Sequence, residues 1–281
     1  MGLRISTNVS SLNAQRHLRN TRRLLDRSLE RLSSGYRINR AGDDAAGLAI
    51  SEKLRAKTRG LIQAQRNASD GVSLIQVAEG GLSEIQNILV RLRELGVQAA
   101  SDTIGREERR YLNEEYQSLK EEIDRIANVT EFNGTNLLDG TGGSLDFQVN
   151  TGGLNILGVD RITFDAFKSD VNADKLGLSE LGVDSKADAQ RSLSIIDLAI
   201  ENVSSIRGDL GAIESRLNST IRNLSVSVEN LSAANSRIKD VDIASETSEL
   251  TRNTVLVQAG VSVLSQANSI PRMALSLLEN G

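Results

Sequence analysis

The chain has 281 residues, 39% of them hydrophobic but only 2% aromatic, with a single Pro, no Cys and a formal net charge of −4. The absence of Cys excludes disulfides, thiolate chemistry and cysteine-ligated zinc. The scarcity of aromatics argues against the aromatic-lined core and pocket of a compact enzyme, so Leu, Ile, Val and Ala must fill the interior, in thin helical bundles that one Pro scarcely interrupts.

The charge is unevenly placed. Residues 1–40 hold nine Arg against Asp26 and Glu30, a balance of +7. Such an arm suits nucleic acid, an anionic lipid surface, or an acidic segment of the same chain. Residues 240–281 supply five acids against two Arg. The opening MGLRISTNVSSLNAQ has no apolar core of signal-peptide length. No stretch approaches the roughly 18 apolar residues of a membrane span, so no membrane insertion is expected. Ile5, Val9 and Leu12, then Leu18, Leu25, Leu29 and Leu32, recur at helical spacing and predict a helix with one apolar seam.

The stretch AGDDAAGLA, residues 41–49, has three readings. Gly42 and Gly47 have phosphate-loop spacing, but Leu48 and Ala49 stand where Lys and a hydroxyl are required. A calcium loop needs acids at alternate positions, whereas Asp43 and Asp44 are adjacent. The start of a helix remains, with Asp43 as N-cap and Asp44 near the positive end of the dipole.

Downstream, Ala78, Leu82, Ile85, Leu89, Leu92, Gly96 and Ala99 alternate four and three apart, and Leu112, Tyr116, Leu119, Ile123 and Ile126 do likewise. Such narrow seams pack helix on helix and need partners. Asn133-Gly134 signals a tight turn. Leu145, Phe147 and Val149, then Ile162 and Phe164, alternate with polar residues, predicting short hairpins over about 134–167. Helix resumes behind Asp184 or Ser185, with seams through Leu193, Ile196, Ile200 and Val203 and through Ile221, Leu224, Val228, Leu231 and Ile238. Leu250, Val257, Val261, Leu264 and Asn268 form a last stripe, closed by Leu275 and Leu278. The fold expected is mainly α with a small β-hairpin region: a long antiparallel helical rod or coiled coil with both termini at one end.

No catalytic or metal constellation emerges. His17 is the only histidine and lies in the basic arm without an orienting carboxylate. Runs such as REERRYLNEEYQSLKEEIDR read as solvated salt-bridge faces. Tyr36, Tyr111 and Tyr116 are too scattered for a base-stacking platform. Neither cofactor, metal, enzyme activity nor nucleic-acid partner is expected.

Two long blocks identify a family. ERLSSGYRINRAGDDAAGLAISEKLR, RNASDGVSLIQVAEGGLSEIQNILVRLRELGVQAAS and EIDRIANVTEFNGTNLLDG resemble the N-terminal region of bacterial flagellins. LGAIESRLNSTIRNLSVSVENLSAANSRIKDVDIASETSEL and LVQAGVSVLSQANSIPRMALSLL are similar to their C-terminal region. The match covers roughly 1–140 and 205–280. The resemblance implies a structural subunit that self-assembles as a helical homopolymer into the flagellar filament for swimming motility. Residues 1–42 with 240–281 would form the inner-tube helical domain. Residues 43–239 would form the rod domain, with helices over 43–130 and 186–239 and no large outer domain. The assembly seam would be Leu18, Leu25, Leu29 and Leu32 with Leu250, Val257, Val261, Leu264, Leu275 and Leu278. Gly35, Gly42, Asp43 and Asp44 would form either a hinge between the domains or a plain interhelical loop. The family also implies export to the extracellular flagellum without a cleaved signal peptide. Its further partners are the export apparatus, a flagellin chaperone, the filament cap and hook-junction proteins. In VRLRELGVQAAS, Arg91 and Leu95, with Glu115 downstream, match positions read by the animal innate flagellin receptor, while Val90 stands where Gln is common. Two alternatives stand beside this reading: a hook–filament junction protein, and a binder of anionic surfaces through the basic arm.

Overall fold

The computed structural model describes residues 7–152 and 160–279, with side chains through Ile270 and at Met273. Among the described residues are five α-helices: α1 (Val9–Ser34), α2 (Ala45–Ala99), α3 (Arg106–Val129), α4 (Lys186–Lys239) and α5 (Ile243–Glu279). Two small antiparallel hairpins lie between α3 and α4. Packing divides the chain into two units, Met1–Ala56 with Asn230–Gly281, and Lys57–Glu229. Both boundaries of that division fall inside helices, one in α2 and one in α4.

In Lys57–Glu229 the seams read from the sequence form the core. Leu82, Ile85, Leu89 and Leu92 of α2 are fully buried, as are Tyr116 and Ile123 of α3 and Ile196 and Val203 of α4. Each helix contributes one apolar stripe, and the three stripes close on one another. The helical stretch expected over 43–130 is interrupted at 100–105. There the Arg109 guanidinium donates to the carbonyls of Ala99 and Ser101, both at 2.8 Å, and satisfies the end of α2. Lys120 is buried among neutral acceptors. Its ammonium donates to Gln117 Oε1 (3.0 Å) and to the carbonyls of Ser179 (2.8 Å) and Leu181 (3.0 Å), fastening the 173–185 segment to α3.

The hairpins follow the turn chemistry. β1 (Glu131–Phe132) and β2 (Thr135–Asn136) are joined by Asn133 and Gly134 at φ 51° and 76°. These are the left-handed values that a two-residue hairpin turn requires. β3 (Ser144–Gln148) pairs with β4 (Arg161–Asp165), setting Leu145 opposite Phe164 and Phe147 opposite Ile162. Ser185 caps α4: its Oγ accepts the Asp188 N–H at 3.2 Å.

In the other unit α1 and α5 run antiparallel. Asn8 caps α1 through its side-chain oxygen, and its Nδ2 donates to the Ala267 carbonyl at 2.8 Å. At the other end Arg31 pairs with Glu246 at 3.4 Å. The inward positions of α1 are Ser11, Ala14, Leu18, Thr21, Leu25, Ser28 and Leu32. Those of α5 are Leu250, Asn253, Val257, Gly260, Leu264 and Ala267. The register sets large residues against small ones. Leu18 faces Gly260, where an added Cβ would lie 3.2 Å from Leu18 Cδ1. The helices therefore approach closely through a seam that is half aliphatic and half small or polar.

Candidate functional site

The residues predicted for the seam divide. Leu18, Leu25, Leu32, Leu250, Val257 and Leu264 are half-buried and turn toward the partner helix. Leu29 and Val261 do not: they are 50% and 53% exposed. Each sits one residue past a small inward residue, Ser28 and Gly260, and so lies about 100° further round its helix. Following the large side chains alone misses positions where a small side chain lets the helices approach. Leu275 and Leu278 lie outside the described side chains.

A pair of helices with one stripe each leaves its outer faces uncovered. On α5, Val255, Leu256, Val263 and Ile270 are exposed, and from Asn253 to Pro271 there is no charged residue. On α1 the outer face carries Val9 and Leu12 followed by Arg16, Arg19, Arg23 and Arg27. The two surfaces differ in kind, one uncharged and aliphatic, the other cationic.

The junction between α1 and α2 is built on backbone contacts to the break between α4 and α5. Gly35, at φ 75°, ends α1 and donates its N–H to the Arg31 carbonyl. Beyond it Arg37 N–H donates to the Lys239 carbonyl (2.7 Å) and Val241 N–H to the Gly35 carbonyl (3.0 Å), making a one-rung antiparallel bridge between Tyr36 and Asp240. The Lys239 side chain, 14% exposed, pairs with Glu52 at 3.0 Å and lies 5.1 Å from the Tyr36 ring centroid.

The helix cap is Asp44, not Asp43. Asp44 Oδ1 accepts the Gly47 N–H at 2.9 Å, and α2 begins at Ala45. Asp43 Oδ2 instead accepts the N–H groups of Asn39 and Arg40, closing the turn before the cap. The Arg40 N–H above all holds the Asp43 carboxyl below its usual range. Gly42 keeps φ outside the left-handed region, and an added Cβ there would meet nothing within 4 Å. Besides Gly35, whose left-handed φ favours glycine, the junction is tight at Gly47: a Cβ would lie 2.3 Å from Asp44 Oδ2 and 2.8 Å from Cδ1 of the buried Ile38. In the sequence Gly47 is weighed only for its phosphate-loop spacing, and Lys239 and Glu52 are not singled out. The only structural signal among them is that Gly47 follows a capping Asp by three residues.

Of the third predicted group, Arg91 and Glu115 come together. Arg91 Nε and Nη2 both donate to Glu115 Oε1 (3.0 and 2.8 Å), and Nη1 reaches Glu94 at 3.0 Å. Leu95 is not on that surface. It is fully buried in the core, because α3 and α4 both pack at this level and widen the covered stripe of α2. Among the described residues no group of three His, Cys, Asp or Glu is placed to hold a metal ion. No described helix is long and apolar enough to cross a membrane.

The chain matches the family model described as the bacterial flagellin N-terminal helical region over residues 5–142. It matches the bacterial flagellin C-terminal helical region over residues 193–278. It is 46% identical to a flagellin of Halalkalibacterium halodurans over 276 residues, covering 98% of this chain and 99% of that one. Identity to a flagellin of Bacillus subtilis is 42% over 312 residues, covering 98% and 100%. Among solved structures, Bacillus cereus flagellin is similar with a TM-score of 0.50 and 32% identity, over 60% of this chain and 94% of that one. A putative flagellar hook-associated protein from Vibrio parahaemolyticus reaches a TM-score of 0.57 at 17% identity, over 70% of this chain and all of its own, a likeness of fold alone.

Proposed function

This chain belongs to the bacterial flagellins, and from that premise we propose how a filament subunit for flagellar motility divides its work along the chain. The observation that carries the proposal is the aliphatic outer face of α5, with Val255, Val263 and Ile270 exposed beside a helix that covers only one stripe. Such a face is stabilised when a neighbouring copy covers it. On this reading residues 1–42 with 240–281 form the inner tube of the extracellular filament. Residues 43–239 form the rod domain, without a large outer domain. The stretch from Gly35 to Asp44 is the joint between them. Leu29 and Val261 belong to the surface between copies.

Delivery follows the family pattern: an export apparatus and a chaperone handle the chain before assembly, without a cleaved signal peptide. The filament cap and hook-junction proteins bound the polymer. The subunit has a structural role and no catalytic one. A recognition surface for the animal flagellin receptor would be centred on the exposed Arg91–Glu115 pair, and would lose much of its response in an Arg91→Ala monomer in a receptor reporter assay. The curated flagellin relatives favour the filament subunit over the hook-junction reading.

The test is polymerisation of purified monomer followed by electron microscopy. Val263→Asp changes a position that is 58% exposed in the single chain, so its monomer should melt as the parent does. In the polymer it would bury an unpaired charge at a cost of several kcal/mol, and filaments should fail. Normal filament yield from this variant removes the outer face of α5 from the interface.

A further inference from the structure

We propose that Asn133, at the tip of the β1–β2 hairpin, is a site of spontaneous deamidation whose rate is set by opening of that tip. In this reaction the backbone nitrogen of Gly134 attacks the side-chain amide carbon of Asn133. A C–N bond forms, the amide nitrogen leaves as ammonia, and a cyclic imide remains. One water then opens the imide, so Asn and water become an acid and ammonia with no change of oxidation state. Hydrolysis at the side-chain carbonyl gives Asp. Hydrolysis at the main-chain carbonyl gives isoaspartate, in which the backbone runs through the former side chain and is one methylene longer.

Three observations single out this position. Among the described residues Asn133 is the only Asn followed by Gly, so no side chain shields the attacking nitrogen. A Cβ placed on Gly134 would meet nothing within 4 Å, so the approach is open as well. Second, both residues are exposed, and neither the Gly134 N–H nor the Asn133 amide has a hydrogen-bond partner among the described residues. By contrast Asn218-Ser219 lies inside α4, where the Ser219 N–H is held in the helix ladder. Third, the hairpin is short, with Glu131 paired to Asn136 and Phe132 to Thr135 and no further rung inside the strands. Two strands of this length are weakly held by their own bonds. Leu137 and Leu138, fully buried just beyond them, keep the core shut when the tip opens.

The intact turn is a brake. Ring closure needs the side chain and the Gly134 nitrogen eclipsed about the Asn133 Cα–C bond. Asn133 sits at φ 51°, in a turn whose class sets ψ at about +30° and holds the two groups apart. The reaction therefore runs through the open tip. The two products differ in effect. Asp tolerates the left-handed conformation as Asn does, so that product adds only a charge. Isoaspartate lengthens a two-residue turn, so the pairing of Phe132 with Thr135 fails and Phe132 loses its seat against the core. The change is irreversible and cumulative, and its extent records the age of each molecule.

The experiment incubates the full chain, verified as monomer, at neutral and mildly alkaline pH, with and without denaturant. Peptide mapping by mass spectrometry and labelling by isoaspartyl methyltransferase follow the products. Asn133 in the folded chain should convert roughly ten-fold or more faster than Asn218, and several-fold slower than Asn133 in denaturant. The rate should rise in proportion to hydroxide. Phe132→Ala, which loosens the tip, should speed conversion several-fold while hydrogen exchange in α3 stays unchanged. Should that variant lose protection in α3, Thr135→Gly takes its place and must give the same acceleration. Asn133→Asp should exchange over residues 130–137 as the parent does, whereas aged protein enriched in isoaspartate should exchange faster there. Conversion at Asn133 no faster than at Asn218, as fast folded as in denaturant, or unchanged by a loosened tip overturns the proposal. Equal exchange in Asn133→Asp and in the isoaspartate fraction overturns the assignment of the damage to the lengthened backbone.

Discussion

A methyl group at position 47 has little room. In Gly47→Ala the new carbon meets Asp44 Oδ2 at 2.3 Å and Ile38 Cδ1 at 2.8 Å. If Asp44 swings aside it gives up its cap on α2, worth about 1 kcal/mol. Ile38 is 2% exposed and its Cδ1 must shift within a packed site, which adds roughly 1–3 kcal/mol of overpacking. The better helix propensity of Ala returns about 1 kcal/mol. A net loss of about 1–3 kcal/mol is expected in denaturant melts of this unit, whereas Gly42→Ala, with open space around it, should be neutral or slightly stabilising. Equal losses at the two positions would show that the junction is not built on Gly47. Tyr116 offers a second test in the core. Its hydroxyl is buried beside Ser192, and burial, partly offset by that neighbour, pushes its pKa up to about 12. A phenol whose folded pKa lies above its unfolded value of about 10 contributes stability fully below pH 10 and loses it as pH rises through 12. The loss should reach roughly 2–3 kcal/mol across that window. Tyr116→Phe removes the ionisable hydroxyl, so it should flatten the alkaline loss, as read from melts at pH 8 to 12.

At the scale of elements, the α1–α5 pair depends on complementary sizes. Gly260→Leu should force a side chain into the space of Leu18, 3.2 Å from the first added carbon. It should cost roughly 1–3 kcal/mol. Hydrogen exchange should then quicken in α1 and α5 while α3 stays protected, and Leu18→Ala in the same chain should restore much of the loss. If the double variant exchanges as fast as Gly260→Leu alone, the two residues do not share a layer. This pair also marks what was legible beforehand. The stripes through Leu82, Ile85, Leu89 and Leu92, and the turn at Asn133-Gly134, could be read because a repeating large residue or a turn dipeptide signals its own geometry. Ser28 and Gly260 could not, because a small residue looks the same in a seam as on a surface until the register is known. Leu95 misled for the opposite reason: it lies four residues from Arg91, but a second packing helix covers it. The bridge between Tyr36 and Asp240 joins residues far apart in the chain, and no local pattern announces such a pairing.

Across the whole molecule the two units differ in how they are held. The core of Lys57–Glu229 draws on three helices and both hairpins, whereas α1 leans on α5 through one stripe and presents exposed arginines along its length. Limited trypsin digestion of a verified monomer should therefore cut α1 and the segment beyond about residue 240 first, leaving a core of roughly 45–240 on a gel. Even cleavage along the chain would contradict this. The contact between Asn8 and Ala267 also sets a clock. Its two partners are 259 residues apart, so at roughly 5–20 residues per second the ribosome needs about 13–50 s to make the second after the first. For all of that time Leu18, Leu25 and Leu32 have no partner helix to close on. Helix α1 is thus completed long after it is made, and it stays open to capture or clumping while the 259 residues between the two partners are synthesised.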